Sequence, residues 1–167
     1  MTINVLFVCL GNICRSPTAH GVFEHKVSER QLSAAISVDS AGTGGWHIGE
    51  PPDKRSAQAA LMRGIDLSHL RARQVTREDF SRFDYILAMD RSNLSDLQML
   101  RPDSFGGELS LFLAYGDGHN TSGNTGESTD EVPDPYYGGG DGFERVLGLV
   151  ENASEGLLQH IIRQHGL

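Results

Sequence analysis

A cysteine, an asparagine, an arginine and a serine stand within eight residues of one another in Val8-Cys9-Leu10-Gly11-Asn12-Ile13-Cys14-Arg15-Ser16-Pro17. The apolar run Ile3 to Val8 before them reads as a strand. Ser16 followed by Pro17 reads as a hydroxyl cap and first helical residue. A loop joining the C-terminal end of a strand to a helix N-terminus is where α/β folds bind anions. Gly11 and Asn12 tolerate left-handed backbone angles, Arg15 supplies a bidentate fork, and the loop N–H groups complete a phosphate cradle. Cys9 would then sit under the anion as a nucleophile, its pKa lowered by the amides, the helix dipole and Arg15.

Other chemistries fit this segment less well. A nucleotide P-loop needs G-x-x-x-x-G-K-[ST], and neither its second glycine nor its lysine is present. A metal site needs more ligands than two cysteines, and the pairs His20/His25 and His160/His165 are spaced five apart, off a common helical face. The remaining alternative is two buried cysteines in an ordinary strand-to-helix turn. No metal or other cofactor is expected.

The elements that must position this loop are legible in the 167 residues. Ile3 to Val8 has little alternation, as in a strand covered on both faces of a parallel sheet. Ala19, Val22, Phe23 and Val27 mark one apolar face of the following helix. Ile36 to Ala41 reads as a second strand, and the glycine-rich run Gly42 to Gly49 leads to an Asp53-capped helix ending near Gly64. Tyr85 to Met89 is a third strand, after which Asp90 caps a helix bearing Leu94, Leu97 and Leu100. Leu109 to Leu113 is the fourth strand, and Phe143, Val146, Leu147, Val150, Leu157, Leu158 and Ile161 trace a long C-terminal helix. The alternation predicts a small doubly wound α/β sheet of four parallel strands flanked by helices, its phosphate-binding loop between strand 1 and helix 1. Residues 1–167 are expected to form a single domain.

Composition bounds the partners. With 22 acidic and 14 basic side chains the formal charge is −8, which opposes nonspecific binding to nucleic acid or anionic membrane. No apolar stretch reaches the roughly 18 residues of a membrane span. The opening run lacks the basic residue of a signal peptide, so the expected location is cytoplasmic. Gly116 to Glu131, without an apolar side chain, reads as a mobile surface loop. Pro102 to Glu144 carries nine acidic residues and no Lys or Arg.

Cys9 to Pro17 resembles the C-x5-R-S loop of the low-molecular-weight protein-tyrosine phosphatases, and Asp134-Pro135-Tyr136 resembles that family's general-acid motif. Val38 to Gly42, Arg73 to Val75, Phe83 to Leu87 and Met89 to Leu94 resemble further family segments in the right order. The resemblance implies that Cys9 attacks phosphorus, Asp134 protonates the leaving phenol and then serves as base, and Arg15 holds the phosphoryl oxygens. It implies that Ser16 donates to the Cys9 sulfur, that Asn12 pins the loop, and that Cys9 and Cys14 form a reversible disulfide. Trp46, Tyr136 and Tyr137 resemble the aromatic walls of a phosphotyrosine pocket, and Leu10 and Ile13 its apolar floor, with Gly11, Asn12 and Cys14 completing the binding loop. The implied partners are phosphotyrosine-containing proteins and a cognate tyrosine kinase, the implied assembly a monomer or weak dimer.

Arsenate reduction needs downstream cysteines, and none follows Cys14. Arginine phosphatases tend to carry threonine where Ile13 stands. A module that binds phosphotyrosine or phosphate without turnover would not need the full set Cys9, Arg15, Ser16 and Asp134. The chain departs from the family pattern at Leu70, where a histidine is frequent. The acidic segment before Asp134 is expected to favour substrates with neutral or basic flanks.

Overall fold

The computed structural model describes residues 1–116, 130–136 and 141–167. Strand β1 (Ile3–Cys9) runs at the centre of a four-stranded parallel sheet with β2 (Ile36–Gly42), β3 (Tyr85–Ala88) and β4 (Glu108–Leu111), in the order β2-β1-β3-β4. Period-two geometry sends alternate β1 side chains to opposite faces. Val5, Phe7 and Cys9 enter one apolar cluster and Leu6 and Val8 the other, so the strand is buried on both sides.

On the first face α1 (Arg15–Glu29) and α5 (Gly142–His165) pack over Phe7, whose ring meets Phe23 and Phe112 edge-on at 5.6 and 4.9 Å. On the second face Leu97 of α4 (Arg91–Leu100) and Phe80 of α3 (Asp79–Arg82) cover Leu6, Val8 and Ile86. The short α2 (Lys54–Leu61) lies beside α1 and α5. Helices on both faces make this the expected doubly wound α/β sheet.

Local chemistry shifts several boundaries. Helix α1 begins at Arg15 with Cys14 at the cap position, so Ser16 is not the cap: its hydroxyl is turned back into the loop instead. The strand expected at Leu109 to Leu113 stops at Leu111, and Phe112–Tyr115 curls into a 3-10 turn that drops Phe112 into the core. Helix α2 ends at Leu61, and the chain reverses at Gly64, whose φ of +80° suits glycine. Helix α3 was not anticipated. It is organised by buried Asp79, which accepts from the Arg73 guanidinium and from the Thr76 N–H. Asp53 and Asp90 do cap α2 and α4 as expected, accepting from Arg55 N and Asn93 N at 2.8 Å each. The reading of Gly116 to Glu131 as a loop falls almost wholly outside the described residues.

No helix among the described residues is long and apolar enough to cross a membrane.

Candidate active site

The loop between β1 and α1 is shaped by where its carbonyls go. Those of Cys9 and Leu10 accept from Thr43 N and Gly44 N at 2.9 Å, that of Ile13 from Asp53 N at 2.8 Å, and that of Cys14 from Thr18 N and Oγ1. An anion site requires this arrangement, because carbonyl oxygens pointing inward would repel the anion. The loop must lie close on the end of β2 to make these bonds. At Gly42 a Cβ would meet Leu10 O at 2.7 Å and Asn12 N at 3.1 Å, so only glycine lets the two segments meet.

Asn12 carries the turn. Its φ of +57° is left-handed, a conformation asparagine adopts more readily than most residues. Its side chain fastens that geometry, with Nδ2 donating to Ser16 Oγ at 2.7 Å and Oδ1 accepting from Arg73 N at 3.0 Å. The support of Asn12 thus comes from the Arg73 backbone, while Leu70 packs against the core beneath. Gly11, by contrast, does not have positive φ among the described residues; the His47 ring lies over it, with Cδ2 at 3.0 Å from where a Cβ would be.

Cys9 Sγ lies at the bottom, where Asn12 N donates to it at 3.2 Å and Ser16 Oγ stands at 3.0 Å. The Ser16 hydroxyl, already accepting from Asn12, has its own proton to give either to the sulfur or to Ala41 O at 3.3 Å. Arg15 is buried and anchored through one nitrogen: Nη1 donates to Asp90 Oδ2 at 2.6 Å and to Val132 O at 3.1 Å. Burial works against the guanidinium charge, but the Cys9 sulfur, Asp90 and Asp134 outweigh it and hold the arginine pKa above its ordinary value. Asp134 Oδ2 stands 3.8 Å from Arg15 Nη2, and its Oδ1 accepts from Tyr136 N at 3.0 Å.

These groups open onto a cavity of about 290 Å³ lined by Cys9, Leu10, Gly11, Ile13, Cys14, Arg15, Trp46, His47, Asp134 and Tyr136. The volume is at the lower end of small-molecule sites, on the scale of one aromatic ring with a charged substituent. Trp46 is 72% exposed and folds back over its own loop, its ring occupying the space a Cβ at Gly44 would need. Leu10 lines the cavity and is 41% exposed. Tyr137 lies outside the described residues.

Two members of this constellation were not singled out from sequence. His47 lines the cavity and hydrogen-bonds through Nδ1 to Glu50; its adjacency to Trp46 was the available signal. Asp90 was read as a helix cap alone, yet its two oxygens divide between Asn93 N and Arg15. An acid at the C-terminal end of β3, next in the sheet to β1, was the clue.

Cys14 differs from Cys9 in environment. Burial pushes its thiol up to about 12, partly offset by a hydrogen bond with Ser56 and reinforced by nearby Asp53, Cys9 and Asp134. The thiol therefore stays protonated at neutral pH, and the thiolate is the form that alkylates. Treatment of the folded, reduced protein with iodoacetate at pH 8 is expected to leave Cys14 unmodified, whereas both cysteines react in denaturant. Peptide mass mapping reads the result.

A family model described as low molecular weight phosphotyrosine protein phosphatase matches residues 4–166. The chain is 44% identical over 165 residues to a low molecular weight protein-tyrosine-phosphatase of Streptomyces coelicolor, covering 98% of this chain and 96% of that protein. Among solved structures, a protein tyrosine phosphatase from Entamoeba histolytica with Hepes in the active site superposes with a TM-score of 0.86 at 36% identity, covering 99% of this chain and 100% of that one. A Drosophila arginine phosphatase also superposes, with a TM-score of 0.83 at 34% identity, covering 93% of this chain and 96% of that one. The fold therefore does not by itself separate phosphotyrosine from phosphoarginine chemistry.

Proposed function

The chain belongs to the low molecular weight phosphotyrosine protein phosphatases, and from that premise we propose that it hydrolyses phosphotyrosine on proteins through a phosphocysteine on Cys9. The observation that carries this reading is the convergence of Cys9, Arg15 and Asp134 on one aryl-sized cavity. In the first step the Cys9 sulfur attacks phosphorus in line while Asp134 gives its proton to the departing phenolic oxygen. In the second, Asp134 takes a proton from water as the water displaces the cysteine. Ser16 and the Asn12 N–H support the sulfur as nucleophile and then as leaving group. Because Asp90 and Val132 engage Arg15 Nη1, the fork offered to the phosphoryl oxygens consists of Nε and Nη2.

Leu10, Ile13, Trp46 and Tyr136 give the cavity apolar and aromatic walls that suit a phenyl ring. Ile13 favours phosphotyrosine over phosphoarginine, since an aliphatic wall leaves guanidinium N–H groups unpaired. Arsenate reduction is not favoured, because Cys9 and Cys14 are the only cysteines. Both are free thiols here, and we assign them as a redox pair: peroxide oxidises Cys9 to the sulfenic acid, Cys14 sulfur displaces its hydroxyl as water, and a thiol reductant reverses the disulfide.

The entire chain acts as one catalytic domain in this reading. Its partners are phosphotyrosine-containing proteins and the tyrosine kinase that produces them, its compartment is the cytoplasm, and it works as a monomer or weak dimer. Hydrolysis of p-nitrophenyl phosphate in the presence of a chelator tests the reading. Asp134→Asn is expected to lower kcat by about a hundredfold or more, the ordinary worth of a positioned general acid and base. A loss of less than threefold would remove Asp134 from the mechanism.

A further inference from the structure

Asp134 lies on a segment fastened at both ends. On its N-terminal side Val132 N donates to Met89 O at 2.8 Å, Val132 O accepts from Arg15, and Arg91 pairs with Asp130 and Glu131. On its C-terminal side the contact comes from a residue outside the cavity, Arg55 in the first turn of α2. Its Nε and Nη2 make a fork on the two oxygens of Asp53 at 3.1 Å each, and the same Nη2 donates to Tyr136 O at 3.3 Å. The guanidinium plane also stands over two rings, Tyr136 at 5.5 Å and Phe143 at 4.7 Å from their centroids.

Both ends of this contact lead into the site. Asp53 N donates to Ile13 O at 2.8 Å, which ties the start of α2 to the phosphate loop. Tyr136 N donates to Asp134 Oδ1 at 3.0 Å, which ties the Tyr136 peptide to the acid. A continuous path Ile13–Asp53–Arg55–Tyr136–Asp134 therefore links the phosphate loop to the acid. Coulomb energy does not explain the choice of arginine, because Arg55 is half exposed and such pairs contribute little. The planar fork does: only arginine can engage a carboxylate with one edge, a carbonyl with the same terminal nitrogen and two aromatic faces at once.

We propose that Arg55 is a positioning residue for the general acid, holding the Asp134–Tyr136 turn over the phosphate loop. The proposal rests on the assignment of Asp134 as acid. Misplacing a general acid penalises poor leaving groups more than good ones, because nitrophenolate departs with less need of a proton than phenolate. A structural role alone would lower both alike.

The test compares kcat/KM, which reports steps up to phosphoryl transfer, for phenyl phosphate and p-nitrophenyl phosphate in wild type, Arg55→Ala, Arg55→Lys and Asp134→Asn. Both Arg55 variants are expected to lose about tenfold on phenyl phosphate and no more than about twofold on p-nitrophenyl phosphate, a part of the full general-acid effect. Arg55→Lys keeps the charge beside Asp53 and serves if the alanine variant folds poorly. Adding Arg55→Ala to Asp134→Asn is expected to cost no further selectivity between the two substrates. Equal losses on both substrates, or wild-type rates, would overturn the proposal while leaving the Asp134 assignment intact. Unchanged phenyl phosphate turnover in Asp134→Asn would overturn the assignment and this proposal together.

Discussion

Cys9→Ser is expected to abolish turnover of aryl phosphates, with kcat at least about 10⁴-fold below wild type, because an unactivated hydroxyl is a far weaker nucleophile than a thiolate. The substitution is conservative in shape, and the surroundings explain why shape will not rescue it. The groups around Sγ, Asn12 N at 3.2 Å and Ser16 Oγ at 3.0 Å, are donors suited to a sulfur anion. The lining offers Asp134 and His47 as candidate bases, and neither is hydrogen-bonded to Sγ, whose partners are Asn12 N and Ser16 Oγ. A serine there would remain a protonated alcohol. The phosphate cradle does not depend on the sulfur, so Cys9→Ser is expected to retain affinity for inorganic phosphate within a few-fold, measurable by calorimetry. Residual kcat within tenfold of wild type would place the nucleophile elsewhere.

Arg15→Lys is expected to lower kcat by about 10³-fold, the larger end of what removal of a transition-state donor costs. Lysine keeps the charge but supplies a point donor where a planar fork is needed. The loss would be compounded by architecture. Nη1 of Arg15 is spent on Asp90 and Val132 O, so it aligns the guanidinium and also anchors the acid-bearing segment. A lysine ammonium drawn to Asp90 would leave the equatorial oxygens without their bidentate partner. Steady-state kinetics with p-nitrophenyl phosphate measures the effect, and a fall confined to KM would mean that Arg15 serves binding alone.

The phosphate loop was readable from sequence because its requirements are local. A left-handed asparagine, an arginine at the first position of the following helix and a nucleophile at the end of a buried strand are all specified within a few residues. The alternation of strands and helices followed from Ile3 to Val8 and its successors in the same way, since period-two and helical periodicities are local too. Asp53 and Asp90 were legible as caps for that reason.

What sequence reading missed depends on contacts between distant segments. Ser16 looked like a cap beside Pro17, but bonds to Cys9 and Asn12 of its own loop and to Ala41 of β2 take its hydroxyl. The partnership of Asp90 with Arg15 spans 75 positions and that of Arg55 with Tyr136 spans 81, beyond any local pattern. Leu113 has strand composition, yet the core under Phe112 draws the chain into a 3-10 turn.

The central claim is a covalent phosphocysteine on Cys9, and rapid acid quench during turnover of p-nitrophenyl phosphate tests it most directly. Slowing the second step by Asp134→Asn should let the intermediate accumulate, since the same residue activates the water. Intact-protein mass after the quench is expected to increase by one phosphoryl group, and peptide mapping to place it on Cys9. Steady turnover with no adduct, or an adduct on another residue, would contradict the account.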